Sequence, residues 1–375
     1  MKLNFVILDK NKSNIKPTLL IILFYLFYFY KMIVEPNSFI SNLLELFMGS
    51  VGCVSFIYIL AFKNLHRKRS FFGFVFLFVM SGVLSAIYSG NYRLEDFVLM
   101  FEYIGIGLIL CKYTLNFKLI KYSFFLYSAY FLLQILLGIH PDDVFIGFSR
   151  NAVSVFMIIQ TILIYISMFQ SKKNLMISPA LINLILSVWS IGRSGIISSL
   201  TLFLIILFLK NNKISIKTIF SYFGIFALLL FLVSYFYETI FKSAIERTVI
   251  MGVTDDSRGF IIDSYLNSIS DSFGNMIFGV PIDKVNAFGV YSNNLHNSYL
   301  KLYSFHGLIG IVLVLVQIVN AELQFFKNKN FLYIGLFFII LLRISTDIAA
   351  FHGPFDPLII YFIYMGFNVR NNYTF

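Results

Sequence analysis

The sequence predicts an all-α polytopic membrane protein of about 12 transmembrane helices, with both termini cytoplasmic and one large outer loop carrying an amphipathic helix. Three observations predict it. The chain is 59% hydrophobic and only 13% charged, with a mean hydropathy of +0.83, whereas soluble domains carry about 25% charged residues. Apolar runs of membrane length alternate with loops of a few residues. Lysine and arginine, finally, are distributed unevenly between alternate loops.

The apolar runs lie at 18–34, 39–62, 71–89, 96–113, 119–139, 152–170, 175–191, 194–209, 217–237, 300–323, 331–346 and 355–367. About 20 helical residues cross ~30 Å of hydrocarbon, so most of these runs suffice, and the last two are short and partly polar. Lys2, Lys10, Lys12 and Lys16 precede the first run in the manner of a signal peptide. No small-residue cleavage site follows, which predicts a retained first helix. The seventh and eighth runs would form one straight helix about 50 Å long, too long for a single crossing. The spacing therefore predicts a hairpin at Ser190-Ile191-Gly192-Arg193-Ser194-Gly195, where glycine permits a tight turn.

With the N-terminus inside, alternate loops on the inner side hold 19 of the 29 basic residues, while only Asp9 and Glu322 among the carboxylates fall there. The Lys and Arg bias sets the orientation. Residues 1–237 then form a bundle of about nine helices, 238–297 a large outer loop, and 298–375 about three further helices. The loop runs sixty residues without a span and carries seven of the 18 carboxylates. Long loops of this kind are usually functional. Within it, Ile262, Tyr265, Leu266, Ile269, Phe273 and Ile277 recur at helical spacing, predicting an amphipathic helix from Arg258 to Gly279 behind the caps Thr254-Asp255-Asp256-Ser257.

Several function classes are excluded. The net charge of +11 comes from cations scattered through short loops rather than clustered on one soluble face, which argues against nucleic acid. No phosphate-binding glycine loop, dinucleotide fingerprint or Gly-x-Ser-x-Gly elbow is present. His296, His306 and His352 lack zinc-ligand spacing, so no metal is expected. Cys53 and Cys111 sit inside apolar runs and predict no disulfide framework. The acidic pairs Glu95-Asp96, Asp142-Asp143 and Asp255-Asp256 read as solvated caps or turns.

Arg93, Arg150, Arg193 and Arg343 stand at outer span ends or tight turns, where guanidinium offers a rigid donor fork for phosphate. Contact with lipid headgroups is the plainer use of such arginines. Arg193 is confined in a glycine-flanked hairpin near the membrane boundary, and such a charge calls for an anionic partner. His296 is the candidate general base of the outer loop, its ordinary pKa suiting proton transfer near neutrality. Inert surface is the commoner fate of such a histidine, but Asn293, Asn294, Asn297 and Ser298 surround it with groups that orient sugar hydroxyls. Glu102 lies mid-span and either pairs with a buried cation or lines a polar path.

Four places then carry a resemblance: Ser149-Arg150-Asn151, Gly192-Arg193-Ser194-Gly195, Asp256-Ser257-Arg258-Gly259, and His296-Asn297-Ser298-Tyr299-Leu300 followed by Gly307 and Gly310. In their order and topological placement, from Arg150 to Gly310, they resemble the O-antigen polymerase and O-antigen ligase superfamily. The resemblance implies a glycosyltransferase of the bacterial inner membrane, its active site facing the periplasm, using an undecaprenyl-diphosphate-linked oligosaccharide as donor and acceptor. It implies no cofactor and no metal. His296 would take the acceptor proton; Arg193, Arg258, Arg150 and Arg343 would hold the diphosphate; Asn297 and Asn294 would orient the sugar. Membrane lipids and a chain-length regulator protein are the other partners it implies. A ligase would differ only in its acceptor, lipid A-core. A lipid-linked saccharide flippase, with Glu45, Glu102 and Asp347 along a path, is the alternative from another class, against which stands the concentration of polar residues in one late loop.

Overall fold

The computed structural model describes residues 15–36, 38–62, 69–90, 94–210, 256–285 and 295–370, the side chains at 60–62, 69, 94, 256–258 and 368–370 excepted. Among the described residues the chain is all-helical, with no strand. The first eight helices are α1 (Ile15–Ile33), α2 (Phe39–Phe62), α3 (Arg69–Ser89), α4 (Leu94–Lys112), α5 (Phe117–Leu136), α6 (Asn151–Gln170), α7 (Ser178–Trp189) and α8 (Arg193–Lys210). Then come α9 (Asp256–Ser270) and α10 (Phe273–Phe278), followed by α11 (Ser298–Lys327), α12 (Phe331–Ile344) and α13 (Asp356–Arg370).

Eleven of the twelve apolar runs fall on these helices, and the ninth, 217–237, lies outside the described residues. Among the described residues, seven helices are long and apolar enough to cross a membrane. Three more, α7, α12 and α13, are apolar but shorter. α4 has the length, at 19 residues, but carries Glu95, Asp96 and Glu102. The protein is thus an α-helical membrane protein.

α6 is buried on every face from Val153 to Met168, as a helix apolar all round must be. α5, α7 and α8 pack directly against it, and α12 packs on α8. A second layer joins α4 to α2 and α13, and α11 to α3 and α13. Large side chains such as Leu126 and Phe208 remain exposed on the outward faces, as suits helices whose surroundings are lipid.

The amphipathic helix expected from Arg258 to Gly279 is two helices. α9 ends at Ser270, and Ser272 adopts extended backbone and caps α10, its Oγ accepting from the Asn275 amide at 3.0 Å. Ser is a strong N-cap, and here it wins over an apolar spacing that continues in phase across the break. The buried side also differs from the predicted stripe. Ile261 and Tyr265 are buried with Val280, Val285, Leu295 and Tyr303 in a small separate core, whereas Leu266 and Phe273 are exposed.

α11 contains a kink at Gly307, whose φ of 60° and ψ of −164° are non-helical. That region is open to glycine alone. A β-carbon there would stand 2.1 Å from the carbonyl oxygen of Ile277, so α10 lies in the kink.

Candidate functional site

α6, α8, α11 and α13 all begin at one end of the bundle, and the sequence-predicted residues that the structure describes gather there. Arg343, in the last turn of α12, is fully buried. Its Nη2 donates to Asp347 Oδ2 at 3.0 Å, and to the Asn151 carbonyl and Ser154 Oγ at 3.4 Å each. A buried charge persists only when paired and hydrogen-bonded, and the first turn of α6 supplies the second requirement. That same turn receives the α7–α8 hairpin. A β-carbon at Gly192 would stand 2.4 Å from Asn151 Oδ1, and one at Gly195 would stand 2.3 Å from Ser154 Oγ.

The predicted hairpin is present, with its positive φ at Ile191 rather than at a glycine. The glycines serve close approach instead. Arg193 opens α8 with an exposed side chain. Arg150 is 14% exposed and lies 3.5 Å from Asp142, on the short turn Pro141–Asp143. Ser149-Arg150-Asn151, Gly192-Arg193-Ser194-Gly195 and Arg343 therefore meet around one helix N-terminus.

The His296-Asn297-Ser298 run docks beside them. Ser298 Oγ donates to the Asp347 carbonyl at 2.6 Å and accepts from the amides of Ala349 and Ala350 at 3.0 and 3.1 Å. Asn297 caps α11, its Oδ1 accepting from the amides of Tyr299 and Leu300. Asn297, expected to orient the sugar, therefore uses its side-chain oxygen as a helix cap. His296, half-buried, precedes the cap with a φ of 49°. Arg258 stands in the first turn of α9, but its side chain lies outside the described residues, as does Asn294.

The loop from 345 to 355 ties this region to a cavity that the sequence did not reveal. At the loop's far end the Asp356 carboxylate accepts from the amides of Phe351, His352 and Gly353, and Lys301 Nζ donates to the His352 carbonyl at 3.1 Å. Phe351 and His352 hold positive φ values of 53° and 74°. Three amides converging on one carboxylate account for that otherwise unfavourable backbone. Beneath it lies a cavity of about 130 Å³ lined by His306, His352, Asp96, Asp283, Ser85 and Ser304 among others. Burial, with Lys301 and His306 adding to it, pushes the His352 imidazole well below its ordinary value.

His306 and His352 are 46 positions apart, yet their ring centroids lie 5.8 Å apart. The only local signals were the glycines that follow each, Gly307 and Gly353. The segment 281–283 covers the cavity and is held down by Lys284 Nζ, which donates to the Ser89 carbonyl, and by Tyr88 stacked on Phe278 at 4.9 Å. Glu102 is separate. It is buried in α4, where Lys31 and Glu45, themselves an ion pair, act on it electrostatically. Among the described residues no three ligating side chains form a metal site. No family model matches the chain, and no curated protein matches it.

Proposed function

We propose that the protein is a polymerase of the bacterial inner membrane that joins undecaprenyl-diphosphate-linked oligosaccharide units into O-antigen or capsular polysaccharide on the periplasmic side. The observation that carries this reading is the meeting of segments 149–154, 192–195, 296–298 and 343–347 at one end of the bundle. Those segments are far apart in sequence, and three of them carry the resemblance to the polymerase and ligase superfamily. The loop-charge bias orients that end outward, with about 12 crossings and both termini inside.

In the reaction, an acceptor hydroxyl attacks the anomeric carbon of the donor sugar. His296 takes its proton as the new carbon–oxygen bond forms. The bond from the anomeric carbon to the diphosphate oxygen breaks, and the lipid diphosphate leaves with the electron pair. Arg193, Arg150 and Arg258 stabilise the growing negative charge, preorganised donors being worth most where charge develops. Arg343, locked to Asp347, α6 and the loop, sets the frame on which these cations stand. One displacement inverts the anomeric centre, and no metal or cofactor enters.

The test is polymerisation by the purified chain in nanodiscs with a lipid-linked repeat unit, read as a chain-length ladder. His296→Ala, Arg193→Ala and Arg258→Ala are expected to leave an inserted protein that makes no long chains. Normal ladders from all three would sink the assignment. In cells lacking the protein, lipid-linked single units should accumulate on the outer face; accumulation on the inner face would favour a flippase.

A further inference from the structure

We propose that the cavity between α3, α4, α11 and the 345–355 loop is a binding site for a neutral, hydroxyl-rich ligand, the terminal sugar of the acceptor saccharide. The name "acceptor" rests on the function proposed above; the ligand chemistry does not. His306 is 2% exposed, and its Nε2 has no hydrogen-bond partner although it lines the cavity. Its Nδ1 lies 3.2 Å from the Phe78 carbonyl oxygen and 3.1 Å from Ser81 Oγ. Ser81 Oγ already donates its own proton to that carbonyl. A carbonyl only accepts, so Nδ1 carries the hydrogen and Nε2 is a buried acceptor awaiting a donor. Both ring nitrogens of His352 likewise lack a partner.

The remaining lining defines the donor. Asp96 and Asp283 bring carboxylates, and among the described lining residues there is no arginine or lysine. Lys301 and Lys284 are close by but donate to the carbonyls of His352 and Ser89. A phosphate, whose oxygens accept, would bring no donor to His306 Nε2. Hydroxyls, by contrast, donate to imidazole nitrogens, to carboxylates and to Ser304 Oγ, whose own proton goes to the Lys301 carbonyl, and accept from Ser85, using both roles at once. Phe97 and Phe305 add flat apolar faces, a usual complement to a few placed polar groups in a ligand site. A cavity needs about 10–15 Å³ to admit one water. At about 130 Å³ the cavity is well above that threshold. The Arg343–Asp347 cluster and this cavity flank the same short loop, which would seat diphosphate and acceptor sugar side by side.

The test is binding of methyl glycosides, which carry hydroxyls but no phosphate, to the full chain in nanodiscs by saturation-transfer NMR. Binding to the native chain is expected, weakened at least 10-fold by His306→Phe, which keeps the ring stack on Phe78 but removes the acceptor. Ser85→Leu, which fills the cavity from α3, should do the same and serves if His306→Phe fails to fold. Arg150→Gln should bind glycosides as the native chain does, though it makes no polymer. Absence of glycoside binding, affinities unchanged in the cavity variants, or preferential displacement by inorganic pyrophosphate would each overturn the proposal. Glycoside binding lost in the cavity variants, in a protein that polymerises no lipid-linked unit, would uphold this site and overturn the polymerase reading.

Discussion

Ser298 Oγ stands 2.6 Å from the carbonyl oxygen of Asp347. One hydroxyl thereby fixes the start of α11 to the residue that neutralises Arg343, joining α11 to the loop between α12 and α13. Ser298→Ala would strand the amides of Ala349 and Ala350, and each buried unsatisfied group costs about 1–3 kcal/mol. We expect destabilisation of about 2 kcal/mol or more, measured by chemical denaturation in detergent, together with loss of long chains. A variant as stable as the native chain would contradict the bonding seen here.

Removing one member of a buried ion pair leaves the other uncompensated, at about 3–5 kcal/mol. Arg343→Met is therefore expected to be strongly destabilising. The double variant Arg343→Met/Asp347→Leu should recover much of that loss, because replacing both partners by apolar groups is often neutral. It should nevertheless remain inactive in the polymerisation assay, since the frame holding the α6 N-terminus is gone. Full activity in the double variant would show that the frame does not depend on the Arg343–Asp347 pair.

Gly307 holds a conformation that costs other residues about 1–3 kcal/mol, and a side chain there would strike α10. Gly307→Ala should straighten α11 and lift α10 and the 281–283 segment from α3. Faster amide exchange across 273–284, with little change in α6, is the expected result. Unchanged exchange in both would mean that the kink does not hold α10.

His352 is held neutral by burial, with its ordinary value at 6.5 and its folded value well below. Between those values the unfolded chain binds the proton and the folded chain does not, so stability rises with pH there. The contribution is complete above about pH 6.5 and is lost as the pH falls below it. Thermal melts from pH 8 to pH 5 should show a steeper acid decline for the native chain than for His352→Asn. Parallel curves would contradict the burial of a neutral imidazole at this position.

The transmembrane helices were legible in the sequence because a span is specified locally, by length and apolar content. The Gly192 hairpin was legible for the same reason. The cap at Ser272 was written in the sequence too, but apolar residues remain in helical phase on both sides of it and mask the break. The cavity was not legible. His306 meets His352 only because α11 bends at Gly307 and because Asp356 gathers three amides into an uncommon loop, neither of which has a local period. Of the arginines read at span ends and tight turns, Arg193 is exposed whereas Arg343 is enclosed, since its neighbours α6 and α8 come together over it.

The bend at Gly307 has a consequence for how the protein meets membranes of different thickness. The 20 residues from 308 to 327 rise about 30 Å, the depth of the hydrocarbon layer. The nine residues above the bend carry Ser298, Lys301, Ser304 and His306. A thinner or thicker bilayer is accommodated by helix tilt; the 308–327 piece matches the hydrocarbon depth by itself, while Ser298 and Lys301 tie the shorter piece to the 345–355 loop.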